Sequence, residues 1–176
     1  MQPFPESTAA ELTAEALFGP LPINMEQLSQ LFLAAKAAGE SGKTLGQVKK
    51  IASKNLEQLY EKALAHCGEE RWQDACLIAL QLSLHDPRNS RYLFLAGTCL
   101  QRMTEFQAAA GMYGLSLIDN EQPITVFRMA ECLAAAGEFD QARKGFDACF
   151  EMCRGDLDLR DVQDACAQAL VLLTRH

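Results

Sequence analysis

Apolar and polar positions along this chain recur with the period of amphipathic helices, and from Leu56 to Cys149 one arrangement of them returns three times. Leu56, Leu59, Tyr60, Ala63, Leu64 and Cys67 follow the i, i+3, i+4, i+7 spacing that lays an apolar stripe along one helix face. Trp72, Ala75, Cys76 and Ala79 open a second stripe. Asp86-Pro87 closes it, because the proline ring disfavours helix for the residue before it. Leu93, Leu95, Ala96, Cys99 and Leu100, then Phe106, Ala109, Ala110 and Tyr113, restate the scheme. Phe127, Met129, Ala130 and Leu133 do so again and continue, past a turn at Gly137, through Phe139, Ala142, Phe146 and Cys149.

The register is fixed by small and aromatic positions. Ala63, Gly97 and Ala130 stand 34 and 33 residues apart; Trp72, Phe106 and Phe139 follow nine residues later, and Ala75, Ala109 and Ala142 three after that. A fixed period of this length means stacked supersecondary units. The small residue lets a second helix approach the first, and the aromatic after the turn fills the gap between them. The expected fold is all-α: a tetratricopeptide-repeat (TPR) α-solenoid of three helix pairs, with N-terminal helices and a C-terminal capping helix.

The flanks read differently. Residues 1–24 hold Pro3, Pro5, Pro20 and Pro22 around the short segment Ala9 to Phe18, and are expected to be a mobile tail. Met25 to Ala38 is a helix ended by Gly39 to Gly42, with Leu28, Leu31, Phe32 and Ala35 on its apolar face. That face is expected to dock on a second copy, giving a homodimer; the alternative is a fold back onto the first repeat as an end cap. Thr44 is placed to cap a short helix holding Leu45, Val48 and Ile51, and Ser53 or Asn55 to cap the first repeat helix. Gly155-Asp156 breaks the chain before a last helix, Leu157 to Thr174. Its inner side carries Leu159, Val162, Ala165, Cys166, Ala169, Leu170 and Leu173, and its outer side Arg160, Asp161, Asp164 and Gln168. The chain thus divides into 1–24, 25–55, 56–153 and 154–176.

Composition narrows the function. At 176 residues and 49% apolar content the chain can bury one continuous core. Sixteen basic against 23 acidic residues leave a net charge of -7 without a basic cluster, which argues against nucleic acid. The first basic residue is Lys36 and no apolar run approaches the roughly 18 residues of a membrane span, so the expected location is the cytosol. Seven cysteines, an odd number, six of them on expected helical faces beside Ala and Leu, read as small buried hydrophobes in a reducing compartment.

Signals for chemistry are weak. Cys149 and Cys153 are one turn apart but lack the further ligands zinc requires. His66-Cys67 are neighbours whose side chains diverge on a helix, so they make a poor base and nucleophile. Glu69-Glu70 and Asp156, Asp158, Asp161 and Asp164 fit solvated helix ends, and Gly39, Gly42 and Gly46 lack the spacing of a phosphate loop. No catalysis, metal or cofactor is expected.

Leu56-Glu57-Gln58-Leu59-Tyr60, Asn89-Ser90-Arg91, Gly97-Thr98-Cys99, and Ala130-Glu131-Cys132-Leu133 with Gly137-Glu138-Phe139 resemble the class II, TPR-type chaperones of bacterial type III secretion, over roughly Ala34 to Met152. The resemblance implies a bacterial cytosolic protein that holds hydrophobic translocator proteins until export, taking a short proline- and leucine-containing client segment on its concave face. A stack of helix pairs curves, with the first helices inside. Counted from each small residue, the positions three before, one after and four after are Tyr60, Leu64 and Cys67; Phe94, Thr98 and Gln101; and Phe127, Glu131 and Ala134. Tyr60, Leu64, Phe94 and Phe127 are the main candidates for client contact. The alternatives are a general TPR scaffold or a structural subunit of a secretion apparatus. A carboxylate clamp would need basic or polar groups where Tyr60, Leu64 and Leu95 stand, and only Arg128 fits.

Overall fold

A computed structural model describes residues 24–118 and 120–174, so the expected tail, residues 1–24, lies outside them apart from Asn24. Among the described residues the chain forms nine α-helices and one 3-10 turn, with no strand. The helices are α1 (Met25–Glu40), α2 (Leu45–Val48), α3 (Ser53–Gly68), α4 (Trp72–His85), α5 (Ser90–Arg102), α6 (Phe106–Ser116), α7 (Pro123–Ala135), α8 (Phe139–Met152) and α9 (Arg160–Leu173). Each packs on the next from α3 onward, α9 also reaches α7, and α1 and α2 lie against α4. The fold is the TPR solenoid: α3–α4, α5–α6 and α7–α8 are its pairs, and α9 caps the end.

The repeat positions explain the packing. Ala63, Ala75 and Ala79 are fully buried in the first pair; Ala96, Ala109 and Tyr113 in the second; Ala130 and Ala142 in the third. Small residues at these sites bring the helices close enough for large ones to interlock. Trp72, Phe106 and Phe139 each open the second helix of a pair. Arg102, at the end of α5, stands over the Trp72 ring at 4.8 Å.

The turns inside the pairs are one motif used three times. Arg71, Glu105 and Glu138 donate their backbone N–H groups to the carbonyls of His66, Leu100 and Leu133, each at 2.9 Å. The preceding residues, Glu70, Thr104 and Gly137, lie in the left-handed region at φ 59, 64 and 85°. This is the Schellman termination, which satisfies the last carbonyls of the first helix while reversing the chain.

Three expectations are corrected. The N-cap of α3 is Ala52, without a side-chain cap bond, and Ser53 already lies in the helix; Lys50, at φ 53°, closes the preceding α2, where Ile51 donates its N–H to the Gly46 carbonyl at 2.9 Å. Thr44 does cap α2, in a reciprocal pair with Gln47, but the helix ends at Val48 and excludes Ile51. Leu157 begins a 3-10 turn, closed by Asp156, and α9 starts only at Arg160. Gly42, at φ 71°, turns the chain so that α1 returns onto α2 and α4.

Candidate functional site

The first helices α3, α5 and α7 are tied to one another by side chains at repeat-equivalent heights. Arg91 on α5 bonds Glu57 on α3 through both guanidinium nitrogens, at 3.0 and 3.3 Å, and lies 4.4 Å above the Tyr60 ring. Tyr60 in turn packs on Tyr92, ring centroids 5.6 Å apart. Deeper in the row, Gln101 on α5 donates to Glu131 on α7 at 3.4 Å, and Arg128 donates to the same carboxylate at 2.9 Å.

Tyr60, Cys67, Phe94, Thr98, Gln101, Phe127, Glu131 and Ala134 are all half-buried, while Leu64 is 38% exposed. Partial burial is what a recognition position requires, since a side chain wholly inside has nothing left to offer a partner. Tyr60, Arg91 and Phe94 share a shallow pocket of about 210 Å³ with Ile124 and Thr125 of α7, so the structure brings these aromatics together across three repeats. Phe127 is different: its ring meets Phe146 edge-on at 5.6 Å and belongs to the core of the third pair.

Thr98 and Gln101 converge on Tyr113, and Gln101 links it to Glu131. The buried Tyr113 hydroxyl lies 2.8 Å from Gln101 Oε1 and 3.2 Å from Thr98 Oγ1, and Thr98 donates to the Phe94 carbonyl at 3.0 Å. Burial is the main cause that pushes the Tyr113 phenol up to about 12, so it stays a neutral hydrogen-bonding group at the bottom of the row. Sequence reading placed Tyr113 only in the core; its tie to the groove follows from Gly97, which opens room for the ring. Arg91 and Ile124 were also missed, being outside the counted positions, although Arg91 repeats the height of Glu57 at a spacing of 34 residues.

Cys67 and Cys99 stand with their sulfurs 3.8 Å apart, and burial raises both thiols. That is the opposite of an activated nucleophile. His66, beside Cys67, is buried on another side of α3.

A second surface lies on the other helices. Leu28, Phe32 and Leu33 of α1, Leu80 and Leu84 of α4, and Met112 and Leu115 of α6 line an apolar groove of about 1120 Å³. Of the residues expected on the α1 docking face, Leu28, Leu31 and Ala35 are half-buried and Phe32 is 58% exposed; Leu33, which was not counted, is 65% exposed.

The fold defines a TPR protein, and both surfaces leave apolar side chains open to solvent. The chain is 31% identical over 114 residues to low calcium response locus protein H of Yersinia pseudotuberculosis, covering 64% of this chain and 68% of the relative. Its fold is similar to the Yersinia enterocolitica type III secretion chaperone SycD in complex with a peptide of the translocator YopD, at 26% identity and a TM-score of 0.67, over 70% of this chain and 95% of that one. An alternative dimer of SycD is similar at 26% identity and a TM-score of 0.66, with the same coverage. No protein-family model matches the chain. The chain belongs to the family of low calcium response locus protein H, the class II TPR-type chaperones of type III secretion translocators.

Proposed function

We propose that this chain is a bacterial cytosolic chaperone that holds an extended apolar segment of a type III secretion translocator along α3, α5 and α7, and that it self-associates through α1 when no client is bound. The observation that carries the reading is the row of partly exposed apolar side chains, Tyr60, Leu64, Phe94 and Ile124, running across three repeats of a protein in a translocator-chaperone family. Residues 56–153 form the binding unit in this reading, 25–55 the association unit and 154–176 the cap.

The roles divide by what each side chain already touches. Tyr60, Leu64 and Phe94 supply apolar contact, with Cys67 at the end of the α3 row. Thr98, Gln101 and Glu131 are satisfied within the chain and act as a fixed polar rim. Phe127 holds the third pair in shape through Phe146 and contributes its free edge. A clamp for a terminal carboxylate is disfavoured, because Arg91 and Arg128 are engaged with Glu57 and Glu131. Binding, not catalysis, is what such a surface does, and no helix among the described residues is long and apolar enough to cross a membrane.

The test is co-expression with a type III translocator, followed by affinity for overlapping peptides of it. Tyr60→Ser with Leu64→Ser is expected to weaken the best peptide about 30-fold or more, since a few buried anchors carry most of an interface. Unchanged affinity with intact helical circular dichroism would remove the site from this row.

A further inference from the structure

Seven free thiols stand in the chain, and two of them meet between the first and second repeats. Cys67 occupies the last turn of α3 and Cys99 lies in α5, their sulfurs 3.8 Å apart. A disulfide needs a separation of about 2.05 Å, so the two sulfurs must approach further for the bond to close. We propose that Cys67 and Cys99 form an oxidisable pair that closes an inter-repeat disulfide when the chain meets a peroxide-class oxidant.

The two thiols have unequal access, and this sets the order of events. Cys67 is half-buried and can be reached by a small oxidant, whereas Cys99 is fully buried. The Cys67 thiolate attacks one oxygen of hydrogen peroxide; the O–O bond breaks, leaving Cys67 as a sulfenic acid and releasing water once the departing hydroxide takes up a proton. The Cys99 sulfur then attacks the Cys67 sulfur. The S–O bond breaks, and the hydroxide that leaves carries the Cys99 proton away as a second water. Two thiols and one peroxide become one disulfide and two waters, the sulfurs giving up two electrons. Burial raises both thiols, so the reaction is slow near neutrality and speeds up with pH. Cys132, Cys149, Cys153 and Cys166 are fully buried and Cys76 is only 4% exposed, which leaves half-buried Cys67 as the main point of entry.

The bond would act on the binding surface. In the reduced chain α3 and α5 are held across their faces by the exposed Glu57–Arg91 pair and the Tyr60–Tyr92 contact. A disulfide at the other end of α3 adds a covalent tie, fixes the spacing of the first two repeats and withdraws the Cys67 sulfur from the row. This inference rests on the α3–α5 packing and stands apart from the identity of any client.

The test uses the full chain treated with hydrogen peroxide at about pH 8, where more thiolate is present, then alkylated and digested without reduction. The expected result is one dominant cross-linked peptide joining Cys67 to Cys99. The disulfide closes a loop of about 33 residues, and the melting temperature is expected to rise by roughly 5 to 10 °C, reversibly with dithiothreitol. Cys67→Ser and, separately, Cys67→Ala should abolish both changes while melting like the untreated parent. The proposal is overturned if Cys67 proceeds to sulfinic acid with Cys99 still free, if the dominant cross-link joins other cysteines, if no cross-link forms while helicity persists, or if one appears only after helicity is lost.

Discussion

The ring of Tyr113 rests directly on Gly97: a β-carbon at that glycine would stand 2.9 Å from the ring carbons. The missing side chain on α5 is therefore what admits the aromatic of α6, and through it the hydroxyl that holds Thr98 and Gln101. Gly97→Leu forces four carbons into an occupied site. The expected cost is about 3 kcal/mol or more, at the upper end of overpacking, whereas Gln107→Leu on the exposed side of α6 should cost less than about 0.5 kcal/mol. Urea denaturation of the two variants checks this, and equal midpoints would show that the helix contact lies elsewhere.

Glu70, Thr104 and Gly137 hold the same left-handed position in successive turns, and only the third is a glycine. For a residue with a β-carbon that conformation costs about 1 to 2 kcal/mol, and threonine, branched at Cβ, is poorly suited to it. Gly137→Thr is expected to lose about 1 to 2 kcal/mol. Thr104→Gly should gain less than about 1 kcal/mol, because the glycine also frees the unfolded chain. Thermal melts of both variants measure the asymmetry; a Thr104→Gly variant less stable than the parent would mean that the threonine side chain makes a contact outweighing the strain.

These turns also mark how far the sequence can be read. The repeats were legible because Ala63, Gly97 and Ala130, with Trp72, Phe106 and Phe139, impose one register on three units, and a periodic signal survives local ambiguity. Helix starts were less legible: Ser53 and Asn55 are good capping types, yet the N-cap of α3 is Ala52, which makes no side-chain cap bond. The apolar groove between α1, α4 and α6 was not legible, because Leu28, Leu80 and Met112 belong to different helices and meet only after the pairs have stacked. In the row along α3, α5 and α7, half-burial of Tyr60 and Phe94 agrees with the counted positions. The burden carried by Phe127 was not legible, since its partner Phe146 lies on the second helix of the pair.

His85 gives the fold a dependence on pH. It is 1% exposed at the end of α4, and its Nδ1 donates to the Gln81 carbonyl at 2.8 Å. Burial, opposed by that bond and aided by Lys49, lowers its pKa from the ordinary value near 6.5. The unfolded chain therefore binds a proton more readily than the folded one. Its contribution to stability is fully present above about pH 6.5 and is lost as pH falls toward the folded-state value, with a slope of up to about 1.4 kcal/mol per pH unit. Unfolding free energies of the parent and His85→Gln, compared between pH 7.5 and 5 in steps of about half a unit, should diverge at the upper end and converge on acidification. A constant difference would assign the acid sensitivity to other groups.

Phe32 and Leu33 stand more than half exposed on a helix whose other face is already packed on α4. Docking of α1 at home and association through it are thus compatible, because they use different residues. The open pair borders the apolar groove of about 1120 Å³, and a contiguous apolar surface of this kind normally marks an interface. Leu28 and Leu31 are half-buried, so replacing them together with Phe32 would confuse loss of packing with loss of contact. Phe32→Ser with Leu33→Ser separates the two. The parent is expected to sediment as a dimer at tens of micromolar without client, and the double variant as a monomer whose melting temperature at low concentration matches the parent's. A parent that sediments as a monomer would make α1 a cap alone; a variant that loses helicity together with its dimer would show that these side chains support the fold from the inside.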